Sequence, residues 1–81
     1  MRLVGQIPHQ HYKISVFNYN AKYIIEVEVG PFKQTYKIPE TEVTGMADIE
    51  RLVDSEFLAS ITKRFLEMKE DFGKTFRKHI Q

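Results

Sequence analysis

Histidine is the residue type in this sequence that is best suited to binding a metal ion. His9 and His11 lie two residues apart, so on a strand they would point to the same side, and His79 could supply a third ring nitrogen. No carboxylate lies near the first two in sequence, and no pattern brings His79 close to them. Because histidine pairs at this spacing are common by chance, we interpret all three as surface residues and expect no metal site.

Carboxylate and hydroxyl groups that could act in catalysis occur in patterns with simpler explanations. Glu26 and Glu28 would project from one side of a strand, as paired catalytic carboxylates do, but lysines on the adjacent strands favour ion pairs. Ser15, Ser55 and Ser60 occupy no nucleophile motif, the chain has no cysteine, and its four glycines are scattered singly. We therefore expect no enzyme, no catalytic residue and no cofactor.

A sheet face that combines positive charge with aromatic rings would suit nucleic acid, because bases stack on the rings and lysines contact phosphates. Strand alternation places such side chains on one face: Lys13, Phe17, Tyr19, Lys22, Lys33 and Lys37. Glu26 and Glu28 would lie in the middle of that face, and the net charge of the chain is only +1. We therefore keep a nucleic-acid-binding module as the alternative function.

One long amphipathic helix over residues 55–80 is the largest predicted element. Apolar residues recur there in steps of three and four: Leu58, Ile61, Phe65, Met68, Phe72, Phe76 and Ile80. At about 100° per residue these side chains form one stripe. Asp54 is predicted to cap the helix, and Lys74, Arg77 and Lys78 match the negative end of its dipole.

Three segments alternate as strands do, over residues 11–19, 22–29 and 32–38, with turns at residues 20–21 and 30–31. The two turns predict one coherent core face, with Val16 opposite Ile25 and Ile25 opposite Tyr36. Gln34 is the polar exception on that face, and a buried amide needs hydrogen-bond partners.

The expected fold class is α+β, with a three-stranded antiparallel meander in the order 1-2-3 packed on a short helix and one long C-terminal helix. The short helix covers residues 47–53 and turns Ile49, Leu52 and Val53 inward. The chain of 81 residues is expected to form one small domain over residues 1–81.

The first ten residues are predicted either as a lead-in strand or as a flap over the core, through Leu3, Val4 and Ile7 and ended by Pro8. They lack the apolar centre of a signal peptide, and no tract of the chain is long enough to span a bilayer. We therefore expect a cytoplasmic protein with no membrane partner.

The long helix is predicted to project past the sheet. Twenty-six residues extend about 39 Å, whereas strands of seven to nine residues span about 23–30 Å. The projecting turns carry Phe72, Phe76 and Ile80. Either Gly73 bends the helix back, or the first residues of the chain cover this end, or a second copy covers it.

A second apolar cluster is predicted on the outer sheet face, where Phe17, Tyr19 and Ile24 lie near the turn at residues 20–21. It is either a contact site or the result of β-propensity alone. The charges are also uneven, because residues 40–56 are acidic and the end of the chain is basic. Together these features predict a non-enzymatic protein-interaction module, most simply a homodimer that associates through its long helix.

Two groups of segments resemble those of a family of short bacterial proteins of unknown function. The first group is Ile7-Pro8-His9 leading into Tyr12-Lys13-Ile14. The second is residues 34–38, which precede an acidic connection at residues 40–45. The similarity would extend over nearly the whole chain. The resemblance implies no activity and no site residues.

Overall fold

The computed structural model describes residues 1–80, which form an α+β fold with an antiparallel sheet and a long C-terminal helix. The strands are β1 (Arg2–Ile7), β2 (Lys13–Tyr19), β3 (Lys22–Val29) and β4 (Phe32–Pro39). A short 3₁₀ turn (Glu40–Glu42) leads to α1 (Met46–Leu52) and α2 (Ser55–Ile80). The predicted helix over residues 55–80 is confirmed to the residue.

The sheet has four strands in the order β1-β2-β3-β4, so the predicted three-stranded meander is wrong by one strand. The additional strand is β1, which pairs antiparallel with β2, so of the two alternatives predicted for the first ten residues the lead-in strand is the one observed. Its register shifts between Leu3 and Gly5, which marks a β-bulge. A bulge interrupts the alternation of faces, so Val4 and Ile7 both pack against the core although they are three residues apart. This interruption hides the strand pattern in the sequence.

The predicted register of the other three strands is confirmed. Val16 lies opposite Ile25, and Ile25 lies opposite Tyr36. At the first turn Asn20 and Ala21 have φ angles of 57° and 62°, as a two-residue hairpin of primed type requires. Gly30 at the second turn has a φ of 55°, a conformation that glycine adopts without steric cost.

The core lies between one sheet face and the two helices. Its fully or almost fully buried residues come from both layers: Ile14, Val16, Ile25, Val27, Ile49, Val53, Ile61 and Phe65. Ile49 and Val53 turn inward as predicted, but Leu52 does not, since it is 49% exposed. The reason is that α1 ends at Leu52 and the backbone leaves the helical conformation at Val53 (φ −88°, ψ 66°), which turns Val53 to the core instead.

Asp54 begins α2 as its sequence position predicts. Its Oδ1 atom accepts a hydrogen bond of 2.8 Å from the backbone N–H of Phe57, and its carbonyl accepts the first helical bond, 2.9 Å from the N–H of Leu58. At the other side of the core, β1 lies close under α1, because a Cβ atom added at Gly5 would come within 3.2 Å of Met46.

The second half of α2 projects beyond the sheet and gives the described chain its longest dimension, 48 Å against 26 and 19 Å for the other two. The helix continues through Gly73 without interruption. The first residues of the chain do not cover the projecting end, because β1 pairs with β2 and contacts α1. The covering of this end by a second copy stays a prediction.

Within residues 1–80, neither helix combines the length and the apolar character that crossing a membrane requires.

Candidate interaction surface

Large apolar side chains remain exposed along the second half of α2. Phe72 is 56% exposed, Phe76 is 44% exposed and Ile80 is 68% exposed, so all three residues singled out from the sequence stay uncovered. Leu66, which is 63% exposed, joins them although it lies off the predicted stripe. The sequence does contain a sign of this exposure, because Leu66 lies on a helix face that is otherwise polar.

An apolar groove of about 680 Å³ runs between this part of α2 and the end of the sheet. Its walls include Tyr12, Val29, Phe32, Phe65, Leu66 and Phe76. Phe72 meets Phe32 edge to face, with ring centroids 6.1 Å apart, and its centroid is 6.3 Å from that of Phe76. Aromatic contacts therefore join the projecting helix to the turn at Gly30, yet they leave about half of Phe72 and of Phe76 exposed.

The polar part of the groove is small and basic. The charged residues that line it are Lys69 and Arg77, and its described lining contains no carboxylate. Tyr12 shares a hydrogen bond of 2.5 Å with the Oγ1 atom of Thr62, and its ring lies 5.5 Å from that of Phe65. The groove can therefore bind an apolar surface that is accompanied by negative charge.

His9 has a structural role in the turn that positions Tyr12. Its Nδ1 atom accepts hydrogen bonds from the backbone N–H groups of His11 (3.0 Å) and Tyr12 (3.2 Å), and its ring stacks on Tyr12 at 4.8 Å. The rings of His9 and His11 are 6.0 Å apart. Among the residues that the structure describes, no three His, Cys, Asp or Glu side chains are grouped so that they could hold a metal ion.

Gln34 connects the sheet to the first half of α2. Its side chain is buried, donates from Nε2 to the carbonyl oxygen of Ile61 (3.0 Å) and accepts from the Tyr36 hydroxyl (2.5 Å). The amide thus has the partners that burial demands. This arrangement explains Gln34 as a structural residue.

The second predicted apolar cluster, on the outer sheet face, is less exposed than the sequence predicts. Ile24 is only 5% exposed, because Phe17 and Lys37 flank it on the adjacent strands. Phe17 is half-buried, and Tyr19 alone of the three is open, at 56%. Leu3, opposite Phe17 on β1, is the exposed apolar neighbour that the sequence interpretation did not include. This face therefore offers less apolar contact area than α2.

Two glutamates of the central strand lie among the four lysines of the outer sheet face. Glu28 lies between Lys13 and Lys33 in the register, as predicted. The Nζ atom of Lys33 is 3.4 Å from Oε1 of Glu26. Since the carboxylates occupy the central strand, phosphate groups would meet them there. Nucleic-acid binding through this face stays a prediction.

Several acidic residues between positions 40 and 56 already have partners within the chain. Thr44 donates its backbone N–H (2.8 Å) and its hydroxyl (2.7 Å) to Oδ2 of Asp48. These bonds, together with the contact to Arg51, lower the pKa of Asp48 from 3.8 to about 2. The Asn18 amide donates to Glu40 (2.5 Å), and Asp54 caps α2. These carboxylates stabilise local structure, so the acidic segment is less available to a partner than its composition indicates.

The described contacts thus leave the groove beside α2, with its exposed rings, as the best candidate site. The resemblance to short bacterial proteins stays a prediction. No family model matches this chain, nor does any curated protein or solved structure.

Proposed function

We propose that this protein is a non-enzymatic interaction module that forms a homodimer through the second half of α2. The observation that carries the proposal is the exposure of Phe72, Phe76 and Ile80 on the projecting segment, and of Leu66 just before it, in a domain whose other large apolar residues are mostly packed. Contiguous apolar surface of this kind is typical of interaction sites.

The size of the apolar surface is consistent with association of two copies. At roughly 200 Å² for a large apolar side chain, the exposed fractions of these four residues correspond to about 450 Å² per copy. Two copies would therefore bury about 900 Å² from these residues alone, close to the roughly 1,000 Å² that a specific interface needs. The groove beside Phe32 and Tyr12 supplies the remaining area.

The charges favour a second copy over a strongly acidic or basic partner. Lys69 and Arg77 line the groove, and Glu70, whose side chain is 67% exposed, lies on the same stretch of helix. The only ion pair of Glu70 in the described chain is with Lys74, at 3.3 Å. Because both signs of charge flank the apolar residues, the surface can complement itself.

The proposal is tested by the mass of the protein in solution, measured by sedimentation or light scattering across a concentration series. We expect the mass to rise from one copy to two in the wild type. Phe72→Glu and Phe76→Glu should remain single copies at every concentration with unchanged helix content. Thr75→Glu, an exposed residue of the same helix outside the groove, is the matched control and should dimerise as the wild type does. A wild type that remains a single copy at every concentration would contradict the proposal.

A further inference from the structure

Resting on the proposed self-association, we infer that the second copy crosses α2 at Gly73 in the antiparallel direction, with the two-fold axis at this glycine. The groove of each copy is then closed by the projecting helix end of the other. The inference specifies the partner surface and its orientation, which the proposed function leaves open.

Gly73 has no role within the single chain that would require a glycine. Glycine disfavours the interior of a helix, and the glycines with positive φ are Gly30 and Gly45. A Cβ atom added at Gly73 would approach only Nη1 of Arg77, at 3.3 Å, on a flexible side chain of the same helix. A missing side chain does serve a purpose where two helix backbones pass close to each other. Gly73 also lines the apolar groove, so it lies on the surface that a partner would contact.

The spacing of the exposed apolar residues is symmetric about Gly73. Leu66 lies seven residues before it and Ile80 seven residues after it, so at about 100° per residue the three lie along one line on the helix, at the edge of the predicted stripe. Rotation about a two-fold axis at Gly73 therefore places Leu66 of one copy against Ile80 of the other. Both of these residues are more than half exposed in the single chain.

The charges distinguish the antiparallel arrangement from the parallel one. Glu70 lies three residues before Gly73 and Arg77 four residues after it, and both lie on the same side of the line through Leu66, Gly73 and Ile80. Antiparallel helices crossing at Gly73 bring Arg77 of each copy to Glu70 of the other, which forms two ion pairs. A parallel pair would instead gather Lys74, Arg77 and Lys78 of both copies at one end, where like charges repel.

The antiparallel arrangement also covers the groove. The seven residues after Gly73 extend about 10 Å along the helix. Because the two helices run in opposite directions, Phe76 and Ile80 of each copy lie towards Leu66 and the groove of the other. One arrangement thus covers the projecting end and fills the groove, and it brings Glu70 of each copy to Arg77, which lines the groove of the other.

The first experiment replaces Gly73 by alanine and measures helix content and dimer affinity, of which the first should rise and the second should fall. At concentrations where the protein is a single copy, Gly73→Ala should raise the helix content measured by circular dichroism, because alanine favours the helix. The dissociation constant of the dimer should rise at least about tenfold, because the added methyl groups separate the helices. Thr75→Ala, outside the groove, should raise the helix content and leave the dissociation constant unchanged.

The second experiment determines the orientation by disulfide cross-linking, which the absence of cysteine makes unambiguous. Residues 66 and 80 of one helix are about 21 Å apart, whereas a disulfide needs Cα atoms within about 7 Å. Under mild oxidation, an equal mixture of Leu66→Cys and Ile80→Cys chains should form a mixed covalent dimer. Neither variant should cross-link alone, and a mixture of Thr75→Cys with either should not cross-link.

The outcomes separate this inference from the proposed function. A wild type that never dimerises overturns both. A dimer that Phe72→Glu disrupts, but whose dissociation constant is unchanged by Gly73→Ala, overturns the crossing at Gly73 and leaves the self-association standing. Cross-linking of Leu66→Cys or Ile80→Cys to itself overturns the antiparallel orientation. The mixed dimer together with the weakened Gly73→Ala dimer supports the inference.

Discussion

The two halves of α2 have the same apolar spacing and different surroundings. In the first half, residues 55–68, Ile61 and Phe65 are buried against the sheet. In the second half, residues 69–80, Phe72 and Phe76 continue the stripe but are 56% and 44% exposed. Helix and sheet simply differ in length, so one stripe is covered within the chain only where there is sheet beneath it.

The difference shows that an amphipathic pattern predicts an interface without specifying what forms the other side. Core packing stabilises the first half in a single chain, while the second half depends mainly on its own backbone hydrogen bonds and a few aromatic contacts. The first half should therefore determine the stability of the monomer, and the second half should determine association.

The largest difference in unfolding free energy should come from truncating one apolar residue of the stripe in each half of α2. Ile61→Ala removes a fully buried side chain and should lower the free energy of unfolding by about 2–5 kcal/mol. Phe76→Ala should lower it by only about 1 kcal/mol in the monomer, because its ring is 44% exposed and lies outside the buried core. Urea unfolding at low protein concentration measures both. Equal losses for the two variants would show that the halves are equally packed.

The hydrogen bonds of Gln34 should anchor the first half specifically. Gln34→Leu removes the bond to the Ile61 carbonyl and leaves the Tyr36 hydroxyl without its acceptor, so it should cost about 1–3 kcal/mol of unfolding free energy. Tyr36→Phe should cost about 1 kcal/mol. The double variant, compared by urea unfolding, should lose less than the two single losses combined, since both partners are then absent. Strictly additive losses would mean that the two groups do not interact.

Removing the cap of α2 should have a smaller effect that is confined to the start of the helix. Asp54→Ala loses the acceptor for the N–H of Phe57 and should cost about 1 kcal/mol. Ser55→Ala, at the first helical position, is the control and should stay within about 0.5 kcal/mol of the wild type. Thermal unfolding followed by circular dichroism is sufficient for the comparison. A loss at Ser55 as large as that at Asp54 would argue against the cap.

The smallest effect should be a pH dependence from Asp48, in the helix that leads into α2. Thr44 and Arg51 lower the pKa of Asp48 to about 2, so the unfolded chain binds the proton more readily than the folded one. Its stabilising contribution should be complete above about pH 4 and should disappear as the pH falls towards 2. The stability difference between wild type and Asp48→Asn, measured by urea unfolding, should shrink over that range. A difference that stays constant would exclude this linkage.

The sequence was sufficient for the elements whose period is uninterrupted. The long helix follows from the three-and-four spacing, and the register of β2, β3 and β4 follows from two turns with recognisable chemistry. It was insufficient to decide between a strand and a flap for β1, because the bulge between Leu3 and Gly5 breaks the alternation. Leu52 could not be placed either, because its orientation depends on where α1 ends.

The candidate site could be predicted in part. Phe72, Phe76 and Ile80 follow from the arithmetic of helix and strand lengths, and all three are exposed. Ile24 is buried instead, because strand parity gives the side on which a residue lies but not how far its neighbours cover it. The groove depends on the distance between Phe32 and Phe72, which are forty residues apart in sequence, and no local pattern contains that distance.

Amide hydrogen exchange along α2, measured at low and at high protein concentration, tests the difference between the two halves most directly. We predict that residues 58–68 exchange slowly at every concentration, because they are packed on the sheet. Residues 73–80 should exchange quickly in the monomer and become protected as the protein dimerises. Exchange of residues 73–80 at the same rate at both concentrations would contradict the claim that the second half of α2 is the self-association surface.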